Sequence, residues 1–218
     1  SQSQLYIAGF TAAVFHLVNH ATFKGALFMI TGAVDHSTGT RDIKKLGGLL
    51  TIMPISFTIT VITSLSMAGV PPFNGFLSKE KFLESVIELT HAHVMSLNTL
   101  GLIFPILAIV GSIFTFVYSI KFIMHIFFGE YKPNQLPQRA HEASILMLIS
   151  PSILAILVII FGLFPGVLTQ SIIEPATTSM SQTTQVSAEF HLFHGITPAF
   201  ITTIGIYIIG ILLIITFA

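Results

Sequence analysis

Long apolar stretches separated by short polar segments dominate the pattern of this chain. A helix needs roughly 20 apolar residues to cross a lipid bilayer, so each charge-free stretch is a candidate span. The pattern predicts five crossings, which cover residues 5–34, 49–90, 100–128, 145–168 and 196–217. The predicted fold class is therefore all-α, a polytopic transmembrane helix bundle of about five to six spans with one of them discontinuous.

The second predicted crossing is interrupted by a segment rich in proline and glycine. Residues 69–75 read GVPPFNG and contain two adjacent prolines. Proline lacks the backbone N–H donor and disfavours helix at the residue before it. We therefore expect a helix over residues 49–68, a break, and a separate half-helix over residues 76–90.

Composition agrees with a membrane protein and excludes several other classes. Of 218 residues, 53% are hydrophobic and only 8% are charged, whereas about 25% is usual in soluble domains. Nine Lys and Arg balance nine Asp and Glu, so no basic excess supports nucleic-acid binding. The chain has no Cys, which excludes thiol catalysis and iron–sulfur ligation. It begins without Met and ends inside an apolar run, which indicates part of a longer polypeptide.

Three ionisable side chains lie in the first predicted crossing, at His16, His20 and Lys24. Steps of four residues turn about 40° around a helix, so the three share one face. Imidazole titrates near pH 6.5 and can accept a proton on one nitrogen while it donates from the other. The stripe is typical of a proton relay. Two alternatives are hydrogen bonding to neighbouring helices and a metal shared by the two histidines, for which no third ligand is nearby in sequence.

Lys79 and Glu80 follow the predicted break. Transporters place ion sites at broken helices, because freed backbone groups and helix ends can face a wet cavity. The two residues are therefore a candidate paired gate or terminal proton exchanger. The alternative is an amphipathic helix at the membrane interface, since Glu80, Glu84 and Glu88 are also spaced four residues apart.

A weaker pair of candidates, Lys121 and His125, shares a helix face near the end of the third predicted crossing. A lysine at this depth can extend its ammonium group to the membrane interface. We therefore treat both residues as second-tier candidates.

Two long motifs resemble one superfamily. Residues 15–29, FHLVNHATFKGALFM, resemble the tenth-helix signature of the antiporter-like subunits of respiratory complex I and of Mrp-type sodium/proton antiporters. Residues 69–80, GVPPFNGFLSKE, look like the discontinuous twelfth helix of the same superfamily. Residues 35–48 and 66–72 look most like the large A subunits of bacterial Mrp antiporters, with subunit 5 of complex I as the close relative.

The resemblance covers essentially the whole chain and implies how it is organised. Residues 1–130 would belong to the second of two inverted half-channel bundles, as family helices 10 to 13. Residues 131–218 would form the following helices 14 and 15, with a polar loop at about 169–193. The side chains that the resemblance places on a buried proton path are His16, His20, Lys24, Lys79 and Glu80.

The function implied by the resemblance is ion translocation by one subunit of a multisubunit sodium/proton antiporter, multi-pass in the cell membrane of a bacterium. Its implied partners are the other subunits of that hetero-oligomeric complex, Na⁺, H⁺ and the lipid bilayer. No cofactor, metal site or nucleic acid is implied, and the protein would be a secondary active transporter subunit, not an enzyme. The main alternative is a proton-pumping, antiporter-like subunit of complex I (NADH-quinone oxidoreductase). A haem- or metal-binding module using His16 and His20, and a scaffold without transport, are further alternatives.

Overall fold

A computed structural model describes residues 2–91, 102–181 and 195–217. Every regular element in these ranges is helical, as the all-α prediction requires. The helices are α1 (Gln2–Thr38), α2 (Pro54–Ala68), α3 (Asn74–His91), α4 (Ile103–Phe127), α5 (Ile145–Leu163), α6 (Pro165–Leu168), α7 (Glu174–Ser181) and α8 (Pro198–Thr216).

The helix lengths fit a membrane bundle. Among the described residues, the three helices α4, α5 and α8 are long and apolar enough to cross a membrane. The shorter apolar helix α2 is followed, after the break, by α3. Helix α1 has 37 residues and would extend about 55 Å at a rise of 1.5 Å per residue. With α1 and the α2–α3 pair, these helices correspond to the five predicted crossings.

Helix α1 lies at the centre of the packing and contacts α2, α3, α5 and α7. Helix α4 packs against α2 and α8, and α8 also contacts α3. The largest apolar core lies around the C-terminal half of α1 and includes Ile30, Leu49, Met53 and Phe127, all almost fully buried. This core joins the C-terminal half of α1 to the segment before α2 and to the end of α4.

The C-terminal end of α1 differs from the predicted polar turn at residues 35–39. The helix continues to Thr38, and Gly39 follows it with a φ of 75°. The Thr38 hydroxyl donates to a carbonyl of the preceding turn at 2.8 Å, so this polar side chain is satisfied within the helix. Asp35 accepts a hydrogen bond from exposed Arg41 at 2.7 Å, and this bond raises the pKa of the Arg41 guanidinium.

The structure shows helix in the first part of the predicted polar loop at about 169–193. A π-helical turn, Thr169–Ile173, joins α6 to α7, so the first part of this loop is helical as far as Ser181. Thr169, Ile173 and Thr177 are buried, and α7 contacts α1. Residues four apart lie on one helix face, so these three side chains form a stripe that packs against α1, although the segment as a whole is rich in polar residues. The rest of that loop, residues 182–193, lies outside the described residues.

The loop between α4 and α5 holds the start of α2. Glu142 Oε2 accepts hydrogen bonds from the backbone N–H groups of Ile55 at 2.8 Å and Ser56 at 3.3 Å. Glu142 Oε1 accepts from the Ser56 hydroxyl at 2.6 Å. A carboxylate at a helix N-terminus satisfies free N–H donors and interacts favourably with the helix dipole. Helix α2 is therefore anchored at the end opposite to the break.

Candidate functional site

The break begins at Gly69, the C-terminal cap of α2. Gly69 has a φ of 79°, and its N–H donates to the carbonyls of Leu65 and Ser66. This left-handed conformation favours glycine. Space favours it too, because a Cβ atom at Gly69 would lie 2.7 Å from Cδ of Lys79. The methylene chain of Lys79 therefore lies directly against the end of α2.

A buried hydrogen-bond network holds the other side of the break. Asn74 Nδ2 donates to Asn19 Oδ1 at 2.9 Å and to Thr22 Oγ1 at 3.0 Å. The Ser66 hydroxyl donates to Asn74 Oδ1 at 2.7 Å and accepts from the Gly75 N–H at 3.0 Å. Asn19, Ser66 and Asn74 are fully buried. The network therefore ties α1, the end of α2 and the start of α3 together without contact with solvent.

Replacing Asn74 by alanine is expected to destabilise the folded subunit by about 2 kcal/mol or more, because buried polar partners would lose their hydrogen bonds. The measurement is the thermal unfolding of the complete membrane complex in detergent, followed by loss of this subunit from the assembled fraction. Asn134→Ala, at an exposed asparagine in the α4–α5 loop, is the matched control, with an expected change within about 0.5 kcal/mol. Equal unfolding temperatures for the two variants would contradict a stabilising network.

The predicted stripe on α1 leads to the broken helix. The rings of His16 and His20 have centroids 5.8 Å apart. His16 Nδ1 is hydrogen-bonded to the Ser78 hydroxyl of α3 at 3.2 Å, and His16 is close enough to Lys79 to interact with it electrostatically. His20 interacts in the same way with Lys24. The structure thus brings four of the five main candidates into one continuous series of neighbours.

Lys24 reaches a third helix, α4. Its Nζ lies 3.4 Å from the Tyr118 hydroxyl and 5.4 Å from the centroid of the ring, within the range of a cation–π contact. The Tyr118 hydroxyl donates to the Met67 sulfur at 3.1 Å. These side chains, with Thr31, line a cavity of about 130 Å³. The ammonium group of Lys24, in the middle of a long helix, is therefore in contact with both the hydroxyl and the ring of Tyr118.

Lys79 and Glu80 do not form the pair that the sequence predicts. Lys79 Nζ donates to the Ala68 carbonyl at 3.5 Å, whereas Glu80 Oε1 accepts from the Thr197 hydroxyl at 3.4 Å. The ion pairs within the described ranges are Asp35–Arg41 and Lys81–Glu84. Successive helical residues point about 100° apart, so Lys79 faces the end of α2 and Glu80 faces the start of α8.

The second-tier candidates contact the far end of α8. Lys121 Nζ donates to the Phe217 carbonyl at 2.7 Å, and His125 Nδ1 lies 2.8 Å from the Lys121 carbonyl oxygen. A cation at a helix C-terminus interacts favourably with the helix dipole. This geometry gives Lys121 a capping contact, and neither residue has a described hydrogen bond to the stripe on α1.

A groove of about 600 Å³ lies beside the histidines, between α1 and α3. Small residues of α1 and Phe82 of α3 form most of its wall, while His16, His20 and Glu88 add polar groups. Space of this size can hold water next to the imidazoles. Within the described ranges, no three His, Cys, Asp or Glu side chains are close enough together to hold a metal ion.

Several polar residues of the site were not selected by the sequence analysis. Ser78 bonds His16, Tyr118 bonds Lys24, and Tyr207 of α8 donates to the Gly69 carbonyl at the break. The sequence feature that points to Tyr118 and Tyr207 is a tyrosine within an apolar span, since a buried phenol hydroxyl usually finds a hydrogen-bond partner. The partner itself is not readable, because Tyr207 and Gly69 are 138 positions apart.

Comparison with known proteins identifies relatives of this arrangement. Residues 3–105 match the family model described as the NADH:quinone oxidoreductase/Mrp antiporter transmembrane region. The Na(+)/H(+) antiporter subunit A1 of Staphylococcus haemolyticus is 81% identical over all 218 residues. The proteins of the same name from Staphylococcus epidermidis and Staphylococcus aureus are 78% and 74% identical over 100% and 99% of the chain. The chain spans 27% of the length of each of these relatives.

Two solved structures share the fold. In the Mrp complex from Dietzia sp. DQ12-45-1b, one chain is similar with a TM-score of 0.74 and 30% identity, over 96% of this chain and 21% of that one. The membrane-bound sulfane sulfur reductase, an archaeal respiratory membrane complex, gives a TM-score of 0.68 and 31% identity, over 94% and 32%. The chain is therefore similar, over nearly its whole length, to a part of the antiporter A subunits, and residues 3–105 carry the match to the NADH:quinone oxidoreductase/Mrp antiporter family model.

Proposed function

We propose that this chain supplies part of the proton path of an ion-translocating subunit in a multisubunit Na⁺/H⁺ antiporter of the bacterial cell membrane. The observation that carries the proposal is the series Lys24, His20, His16, Ser78 and Lys79, which runs along α1 and crosses to the broken helix. The antiporter A subunits with 74–81% identity support the choice of Na⁺ as the exchanged cation. The remaining subunits of such a complex are the proposed partners.

In this proposal, protons move by protonation changes between neighbouring groups of the series. Each imidazole can take a proton on one nitrogen and release one from the other. His16 lies between His20 and Lys79, and Ser78 gives it a hydrogen-bond partner on α3. Because a positive charge on one group disfavours a positive charge on the next, arrival of a proton at one position promotes release from its neighbour. Water in the groove beside the histidines completes the remaining gaps.

In the proposed path, Glu80 is not the partner of Lys79 that the sequence suggests. Its carboxylate accepts from Thr197, whose hydroxyl also accepts from the Phe200 N–H at the start of α8. A proton that reaches Glu80 must therefore pass from the α1 side of α3 to the α8 side. We assign Glu80 to a later part of the path, beyond Lys79.

A subunit of a redox-driven proton pump is the second candidate, because the family model is described with NADH:quinone oxidoreductase and one similar structure is an archaeal respiratory membrane complex. The test is reconstitution of the complete complex into proteoliposomes with a pH-sensitive dye inside. An antiporter is expected to move protons when a Na⁺ gradient is imposed, without any electron donor or quinone. Proton movement that needs a reductant and is indifferent to Na⁺ would favour the redox candidate and contradict the proposal.

A further inference from the structure

Two consecutive backbone carbonyls at the end of α2 are held by donors from two different helices. The Ala68 carbonyl accepts from Lys79 Nζ of α3, and the Gly69 carbonyl accepts from the Tyr207 hydroxyl of α8. The last carbonyls of a helix have no partner within it and carry its partial negative charge. At this helix end, one carbonyl is therefore bonded by the Lys79 ammonium and the next carbonyl by the Tyr207 hydroxyl.

The Lys79 ammonium is loosely held at this site. Its described hydrogen bond, to the Ala68 carbonyl, is 3.5 Å long, near the upper limit for such a contact. The Lys79 Nζ atom lies 3.7 Å from the place where a Cβ atom of Gly69 would stand. A lysine ammonium has three N–H donors. The lysine ammonium therefore lies beside the Gly69 residue, whose carbonyl is bonded by Tyr207.

Tyr207 is held in place independently of Lys79. Its ring lies 5.3 Å from the ring of Phe116, centroid to centroid. The N-terminal cap of α8, Thr197, donates to Glu80, and the carbonyl of Phe217 at the other end of α8 accepts from Lys121. Helix α8 is thus bonded to the rest of the bundle at both ends. These contacts at the two ends of α8 hold the Tyr207 hydroxyl at the break between α2 and α3.

We propose that Tyr207 is a positioning residue for Lys79 that sets the pH range of transport, because its O–H partly neutralises the negative end of the Gly69 carbonyl beside the lysine ammonium. The inference rests on the proposed function, because it assumes that Lys79 takes up and releases a proton. With Tyr207 in place, the Gly69 carbonyl stabilises the ammonium form of Lys79 less, and Lys79 gives up its proton more readily. Without the hydroxyl, a second carbonyl would stabilise the charged form.

Other titratable groups lie near Lys79 and Tyr207, and they are present both in the wild type and in a variant without the Tyr207 hydroxyl. They are His16 of α1, which interacts with Lys79, and Glu80, which interacts with Tyr207. Helix α5 has no titratable residue. On α4, the Tyr118 hydroxyl and Lys121 bond to partners other than Lys79, namely Met67 and Phe217. Removal of the Tyr207 hydroxyl therefore frees the Gly69 carbonyl beside Lys79 and leaves the hydrogen bonds of His16, Tyr118 and Lys121 in place.

The test is Tyr207→Phe in the complete complex, because phenylalanine keeps the ring that packs on Phe116. Na⁺-dependent proton movement is measured in inverted vesicles over a series of pH values, together with the amount of assembled complex. We expect transport to persist, with its half-maximal pH raised by about one unit, since the Gly69 carbonyl without its phenol donor favours the ammonium form. Tyr207→Met, which also lacks a donor, is expected to shift the profile in the same direction.

Tyr131→Phe is the matched control. The Tyr131 hydroxyl accepts from the Ala140 N–H in the α4–α5 loop at 3.3 Å, away from the break, and its removal is expected to leave the pH profile unchanged. An unshifted profile in active Tyr207→Phe vesicles, or complete loss of transport in assembled complex, would overturn the inference. A wild-type complex without cation-dependent proton movement would instead overturn the proposed function, and the inference with it.

Discussion

Replacing Gly75 by alanine is expected to prevent the complete subunit from assembling. A Cβ atom at this position would lie 1.9 Å from the backbone oxygen of Ser66 and 2.8 Å from its hydroxyl oxygen. The clash is with backbone and cannot be relieved by a side-chain rotation, so the start of α3 would have to move away from α2. That movement would also break the buried network of Asn74, and overpacking combined with lost buried hydrogen bonds is among the most destabilising changes.

The measurement for Gly75→Ala is the fraction of the subunit recovered in the intact complex on a native gel, at equal expression. Gly205→Ala is the matched control, because Gly205 lies within α8 and a Cβ there would meet no atom within 4 Å. Gly162→Ala tests the same packing from α5, since its Cβ would lie 2.1 Å from the Pro72 carbonyl oxygen. Normal assembly of Gly75→Ala would mean that α2 and α3 are not packed as described.

Helices α4, α5 and α8 are readable from sequence because each of these apolar stretches is long enough to cross a bilayer. The break is readable as well, since Pro71 and Pro72 are incompatible with a regular helix. The helical segment after Leu168 was not readable in the same way. Its Ser- and Thr-rich composition is typical of a loop, but its buried face is formed by Thr169, Ile173 and Thr177 against α1, and this packing partner is distant in sequence.

The candidate site was predictable within one helix and not between helices. The spacing of His16, His20 and Lys24 fixes their common face, because helix geometry alone decides it. The directions of Lys79 and Glu80 depend on what packs around α3, and adjacency in sequence wrongly suggested a pair. The contacts of Tyr118 and Tyr207 join residues that are 94 and 138 positions apart, so only the packed structure assigns them.

Lys79 is the residue on which the proposed proton path depends most. It lies at the break, against Gly69 and the carbonyl of Ala68, and beside His16 of the stripe. Alanine at this position removes the group that would accept a proton from His16, while the smaller side chain creates no clash at the end of α2. Cation-dependent proton movement is expected to fall by about 100-fold or more, the usual effect of losing a proton-transfer group.

The most direct test of this account compares Lys79→Ala with the wild type in inverted vesicles that contain the complete complex. Na⁺-dependent proton movement and the amount of assembled complex are measured on the same membranes. Lys44→Ala, at an exposed loop lysine, is the control and is expected to transport normally. Loss of exchange in assembled Lys79→Ala complex is the predicted result, whereas exchange at the wild-type rate would contradict a proton path through Lys79.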